Sequence, residues 1–284
     1  GESTKRRSHP RPMQRHPLSP ASMIRSLWGH RQLIVQLTKR EVIGRYRGSV
    51  MGLLWSFLFP LLMLGVYTFV FSVVFQSRWG TVGGGKSDFA VIVFIGMIIH
   101  GFFAECLNKS TGLVLNNANF VKRVVFPLEI LVWVSVLASL FHAVVSVLVL
   151  LLFIVATHGA IPWTALTFPL LLLPLIFCSA GLSWMLASLG VFLRDVGQVI
   201  GVLTNVLLFL SPVFFPVSAV PMEFQRIMLA NPLTFVIEQS RQVLIFGHMP
   251  DMMGAVIYLA VSLVVAWLGY CWFQKTRNGF GDVL

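Results

Sequence analysis

Charge is what this chain has least of. Only 11% of its residues are Asp, Glu, Lys or Arg, roughly half the share of an ordinary globular domain. Residues 130–193 hold none at all over a run of 64. A helix rises about 1.5 Å per residue and a bilayer core is about 30 Å thick, so one helix of that length would project far beyond a membrane. The run therefore folds into two spans. The break falls at His158-Gly159-Ala160-Ile161-Pro162-Trp163, where turn formers and an interfacial Trp interrupt the apolar pattern. A soluble domain has no use for such a stretch, and the chain reads as an all-α polytopic membrane protein.

Other absences narrow the function. The interiors of the apolar segments carry no carboxylate, Lys or Arg, and Glu105 and Glu129 lie at their edges. Ion-coupled carriers need an ionisable group within the membrane for the coupling ion. A membrane hydrolase needs a carboxylate pair or a metal cluster. His100 and His142 remain, and a lone His in a span reads as hydrogen-bonded structure rather than a proton relay. Cys106, Cys178 and Cys271 lie in or beside different spans without paired spacing, which gives neither a disulfide framework nor a metal site. Any uphill transport must then be powered from outside this chain, which points to a separate ATPase on the cytoplasmic face.

What is present is hydrophobic: 57% of the residues. Charge-poor runs at 48–77, 89–104, 196–222 and 252–274 join the two halves of the long run, giving six spans at about 50–76, 89–106, 128–156, 165–191, 197–215 and 252–273. The second is the shortest at its apolar core and reaches across only if Asp88 and Glu105 sit at the headgroups. Six spans leave both ends on one side. That side collects 17 of the 21 Lys and Arg, 11 of them before residue 48, so both termini are expected to be cytoplasmic. The net charge of +11 therefore meets anionic lipid, not nucleic acid. Residues 1–22 read as a basic, Pro-rich, disordered arm whose first residues, lacking a Met, are expected to be a cloning remnant. Residues 23–284 form the transmembrane domain.

The connections carry the remaining detail. Residues 23–47 mix Trp28, Leu33, Ile34, Leu37, Val42 and Ile43 with many cations, as in a helix lying in the cytoplasmic interface. Pro60 falls within the first span, where it is expected to kink the helix. The loop 108–127 is either a plain connector or a docking surface for a cytoplasmic partner. Arg194 and Asp195 are expected to pair in the tight inner turn. Outside, 211–250 is too apolar for a solvated loop and too interrupted for a span. Two short helices hinged at Asn231-Pro232 in the outer leaflet fit it, with Glu238 and Arg241 close enough to pair. The stretch 80–87, GTVGGGKS, matches a phosphate-binding loop letter for letter but joins two membrane spans, without the strand and magnesium-binding Asp such a loop requires. It reads as a flexible turn. The Asn108-Lys109-Ser110 sequon is on the wrong side for glycosylation. Small residues at 179–183 and at Gly197 and Gly201 allow close helix approach, within one protomer ahead of a dimer seam.

Lys39-Arg40-Glu41, Arg45-Tyr46, Ser49, Gly52, Trp55 and Pro60 resemble the opening of type-2 ABC transporter permeases that export bacterial polysaccharides. Residues 119–127, Phe192-Leu193-Arg194-Asp195, Ser211-Pro212, Pro216, and Asn231-Pro232 through Glu238 and Arg241 continue the resemblance in order. It implies a non-enzymatic homodimer in the bacterial inner membrane, working with two copies of a cytoplasmic subunit that binds ATP and Mg. It also implies docking through the interfacial helix and Asn117, Asn119, Phe120, Lys122 and Arg123, and an outer gate at Phe224, Asn231, Pro232, Glu238 and Arg241. The implied cargo is a polyprenyl-diphosphate-linked glycan of O-antigen, capsule or teichoic-acid type. Arg40, Arg45 and Arg47 lie where its pyrophosphate would arrive, or where ordinary lipid would. Trp55, Phe59, Tyr67, Phe71, Phe209, Phe214 and Phe215 are expected to offer ring faces to sugars along a channel formed by spans one and five, or to face lipid. Rival readings are a passive channel or ion-driven carrier for a small solute and a membrane enzyme acting on lipid-linked sugars.

Overall fold

The computed structural model describes residues 18–74, 86–121 and 126–283, with the side chains of 71–73, 86–88, Val121 and Asp282 left aside. Among these residues every regular element is helical. The chain enters through α1 (Pro20–Gly29) and α2 (Arg31–Arg45). The arm expected through residue 22 thus ends earlier. Ser19 Oγ accepts from the Ser22 amide at 3.2 Å and Pro20 occupies the first helical turn, a start signal that overrides the basic, Pro-rich composition before it. The single interfacial helix expected over 23–47 is a pair, broken at His30.

Span one is α3 (Trp55–Tyr67), continuous through Pro60 and continued by a π-helical stretch over Thr68–Val74. Span two, α4 (Lys86–Ser110), is longer than its apolar core suggested because Glu105 and Lys109 pair at 2.8 Å along its last turns and carry the helix onward. It is also the central helix. Of its apolar window 72% is buried, against 11–44% for the other long helices. The short α5 (Ala118–Val121) precedes span three, α6 (Ile130–His158), which stops at Gly159 with a left-handed φ of 79°. Span four, α7 (Phe168–Phe192), follows the 158–163 break where it was expected. Arg194 and Asp195 stand exposed in the turn beyond it.

Among the described residues five helices are long and apolar enough to cross a membrane. The expected fifth span is shorter: α8 (Val196–Leu210) has 15 residues, about 22 Å of rise, and the chain leaves helix at Ser211-Pro212. Two short helices follow, α9 (Met222–Ala230) and α10 (Pro232–Arg241), meeting at Asn231 as the Asn-Pro pair predicted. The last long helix is α11 (Met252–Thr276), before α12 (Phe280–Val283).

Close packing follows the small residues. Gly181 on α7 and Gly269 on α11 face each other, and a Cβ on Gly181 would lie 2.5 Å from the Val265 carbonyl oxygen. Gly197 abuts Thr111. Both small-residue patterns therefore serve helix contacts inside one chain. Trp184 lies fully buried beside them, edge-on to Trp133 and Tyr270 with centroids 5.5 Å away in each case, and its indole N–H donates to the Glu129 carbonyl at 3.1 Å. Glu129 also accepts from Ser26 at 2.9 Å and from Arg277 at 2.8 Å, while Arg277 donates to the Phe126 carbonyl at 2.7 Å. The chain's first helix and its last residues thus meet at one end of the bundle.

Replacing Gly269 with Val should lower stability by about 1–3 kcal/mol, because α7 cannot retreat without losing the Trp184 contacts. Thermal unfolding of the purified protein in detergent measures it, and the exposed Gly65→Val on α3, with no neighbour near its missing side chain, serves as the control.

Candidate functional site

A cavity of about 480 Å³ opens between α3, α4 and α6. Its walls are Phe59, Pro60, Met63 and Tyr67 from α3, Phe94, Met97, Ile98 and Phe102 from α4, and Ala143 and Ser146 from α6. Space exists here because Gly101 on α4 has no side chain, and a Cβ there would meet nothing within 4 Å. Along α4 the cavity runs from Phe94 to Glu105, about 16 Å at helical rise, which is the depth of one leaflet.

One end of it is charged. Arg45, at the C-terminal end of α2, donates to Glu105 Oε1 at 2.7 Å. Lys109 approaches the same oxygen at 2.8 Å and reaches Glu41 at 3.6 Å. Tyr46 and His142 sit beside them, hydroxyl to Nδ1 at 3.2 Å. His142 is thus hydrogen-bonded, and so is His100, whose Nε2 lies 2.9 Å from the Thr204 carbonyl. That is the structural role expected of a lone membrane His.

The predicted residues are only partly gathered. Trp55, Phe59, Tyr67 and Arg45 share the cavity. Phe209 and Phe214 do not; they lie against each other at 6.0 Å, at the end of α8 and in the turn beyond, with Phe215 half-buried next to them. The Phe71 side chain lies outside the described residues. The six described aromatics therefore form two groups in one chain, because α3 packs against α4 and α6 rather than against α8. The three arginines also separate. Arg45 is held by Glu105, Arg40 borders a smaller cavity of about 190 Å³, and Arg47 is exposed in the turn after α2. Sequence reasoning missed Glu105, Tyr46 and His142 as cavity residues. The spacing of Glu105 and Lys109 signalled an ion pair, but nothing local signalled Arg45, 60 residues away.

Two of the docking candidates, Asn117 and Phe120, line the smaller cavity with Leu37, Arg40 and Glu41 of α2. Phe120 stacks on Phe126 with centroids 4.3 Å apart, and Asn117 donates to the Leu113 carbonyl at 2.9 Å. Asn119 is exposed, and Lys122 and Arg123 lie outside the described residues. So α2 and the 115–121 segment form one surface.

The outer helices differ most from expectation. Phe224 on α9 is exposed, but α10 is sunk into the bundle. Asn231 caps α10 by accepting from the Leu233 amide at 2.9 Å and donates to Ser211 Oγ at 2.8 Å, with Pro232 in the first turn. Arg241 is only 1% exposed. Its guanidinium donates to the carbonyls of Ile92 (3.2 Å) and Val213 (2.9 Å) and to Glu238 (3.3 Å). The pairing of Glu238 with Arg241 was expected, whereas the deep burial was not. Burial lowers the Arg241 pKa to about 10, with Glu238 opposing the shift, so the group stays cationic at neutral pH. Glu238 is raised by its own burial, partly offset by Arg241. Among the described residues no three His, Cys, Asp or Glu side chains converge on a metal position.

Arg241→Met should cost about 3–5 kcal/mol, since it strands the Glu238 carboxylate beside two orphaned carbonyls. Without Arg241 the Glu238 pKa rises further, so protonation relieves the stranded charge and the deficit shrinks as pH falls. Melting curves of variant and parent from neutral to mildly acidic pH read this out.

Matches to known proteins fit this architecture. The O-antigen export system permease protein RfbA of Myxococcus xanthus is 28% identical over 263 residues, covering 92% of this chain and 98% of its own. The protein of the same name from Klebsiella pneumoniae is 23% identical, over 89% of this chain and 95% of its own. The polysialic acid transport protein KpsM of Escherichia coli is 25% identical, over 84% and 91%. The family described as ABC-2 type transporter matches residues 32–245, three quarters of the length, and the chain belongs to that family.

Proposed function

We propose that this chain is the membrane-spanning permease subunit of an ATP-driven exporter that moves a polyprenyl-diphosphate-linked polysaccharide, of O-antigen or capsule type, outward across the bacterial inner membrane. The observation that carries the reading is the leaflet-deep aromatic cavity with cations at one end. An anionic, lipid-linked glycan needs both: ring faces for hydrocarbon and sugar C–H groups, and guanidinium for phosphate. The names of the relatives favour polysaccharide over a small solute.

The remaining parts follow from that reading. The contact of Ser26 on α1 and of Arg277 with Glu129, at the start of α6, supports both ends lying on one side of the membrane and thus an even number of crossings. With five long helices present, α8 and residues 211–215 supply the sixth. Basic residues crowd that end, which makes it cytoplasmic. Two copies assemble so that the exposed apolar face of α8, with Val199, Val202, Val206 and Phe209, meets α3 of its partner across a channel. The two aromatic groups separated within one chain then line one path. Two ATP-binding subunits dock on the surface formed by α2, Asn117, Asn119, Phe120 and the 122–123 cations, and ATP and Mg are theirs. The outer helices α9 and α10 gate the exit, with Phe224 at the rim and Asn231, Pro232, Glu238 and Arg241 fixing the hinge.

The purified chain alone should hydrolyse no ATP and should co-purify with an ATPase from native membranes. Phe120→Ala is expected to lower glycan-stimulated ATPase activity of the complex severalfold while leaving ATP binding intact. Gly101→Leu, which fills the cavity yet gains about 1 kcal/mol of helix propensity, should reduce surface glycan without reducing melting temperature. Undiminished surface glycan in a well-folded Gly101→Leu strain would remove the cavity from the export path.

A further inference from the structure

We propose that Glu105 is an internal stand-in for the substrate's anion: it occupies Arg45 at the mouth of the cavity and must be displaced before a diphosphate headgroup can bind. The inference rests on the export reading above and adds to it a means of control at the same site.

Three observations carry it. First, the mouth is electrically closed. Arg45 and Lys109 both converge on one oxygen of Glu105, at 2.7 Å and 2.8 Å, and Glu41 faces Lys109 at 3.6 Å. Two cations and two carboxylates cancel, so an arriving anion meets no net attraction until Glu105 moves. Second, the closure is cheap to open. The Arg45 side chain is 50% exposed and Glu105 24%, and ion pairs this wet are worth about 1 kcal/mol or less. Glu105 holds Arg45 through a single contact, whereas a phosphate group can take the whole guanidinium fork through two parallel charge-assisted hydrogen bonds. Exchange of carboxylate for phosphate on Arg45 therefore runs downhill. Third, the pair joins two separate parts of the fold. Arg45 ends α2, which continues the surface shared with Asn117 and Phe120, while Glu105 belongs to α4, the buried central helix that Arg241 ties to the outer hinge through Ile92. Breaking Arg45 away from Glu105 removes the shorter of the two ionic ties between α2 and α4 and leaves only the 3.6 Å contact of Glu41 with Lys109. Arrival of the headgroup is thereby felt on the partner-facing surface.

The test uses the purified full chain in nanodiscs of zwitterionic lipid, with dissociation constants for undecaprenyl diphosphate and for phosphatidylglycerol measured by native mass spectrometry. Glu105→Gln should bind undecaprenyl diphosphate about fivefold more tightly than the parent, the equivalent of removing one solvated ion pair. Arg45→Gln should bind it at least as much more weakly. Should the Gln variant not fold, Glu105→Asp, whose shorter side chain draws back from Arg45, is expected to show a smaller gain in the same direction. No gain in any folded Glu105 variant, with Arg45→Gln still weakened, overturns the displacement while leaving the cargo assignment standing. An equal gain for phosphatidylglycerol overturns it by assigning the site to ordinary anionic lipid. Failure of the parent chain to bind undecaprenyl diphosphate sinks both this inference and the cargo assignment.

Discussion

A charged group survives among apolar helices only where protein oxygens replace the water it gives up. In this fold that condition governs where the buried ionic contacts sit. Arg241 satisfies it with two backbone carbonyls and Glu238, and so becomes a buried pin holding α10 to α4 and to the turn after α8. Glu129 satisfies it at the other end with Ser26 and Arg277. Between these two ends, among the described residues, the helix interiors carry no ion pair, and the bundle is held by surface fit with a few hydrogen bonds, such as His100 to the Thr204 carbonyl and Ser188 to Thr276.

That fit is tightest where side chains vanish. The Gly181 and Gly269 contact brings α7 and α11 to backbone distance, which places Trp184 in the centre of an aromatic cluster and makes these two helices a rigid back wall. The opposite side is built differently. There α3 is mostly exposed, and Gly101 leaves a gap instead of closing one. One half of the chain is thus packed shut and the other half is open, and the proposed route for cargo lies in the open half.

Much of this was legible from residues. Apolar run lengths marked six spans, five of which are long helices among the described residues, and the break at 158–163 and the hinge at Asn231-Pro232 fell where turn formers stand. Small-residue spacing correctly pointed to packing within the chain. The length of α8 was overestimated because an apolar run continues through residues 211–215 after Ser211-Pro212 has ended the helix. The aromatics read as one channel set because composition cannot say which helices touch.

Run length, charge asymmetry and the emptiness of the spans belong to the linear chain, because a bilayer sorts residues by local hydropathy and an isolated segment already meets that test. That the chain is a polytopic membrane protein follows from them. The pairing of Arg45 with Glu105, the burial of Arg241 against Ile92 and the cavity beneath Gly101 were decided only by tertiary structure. The two pairings join residues 60 and 149 positions apart, and partners that distant are chosen by how helices pack, a property no local pattern contains.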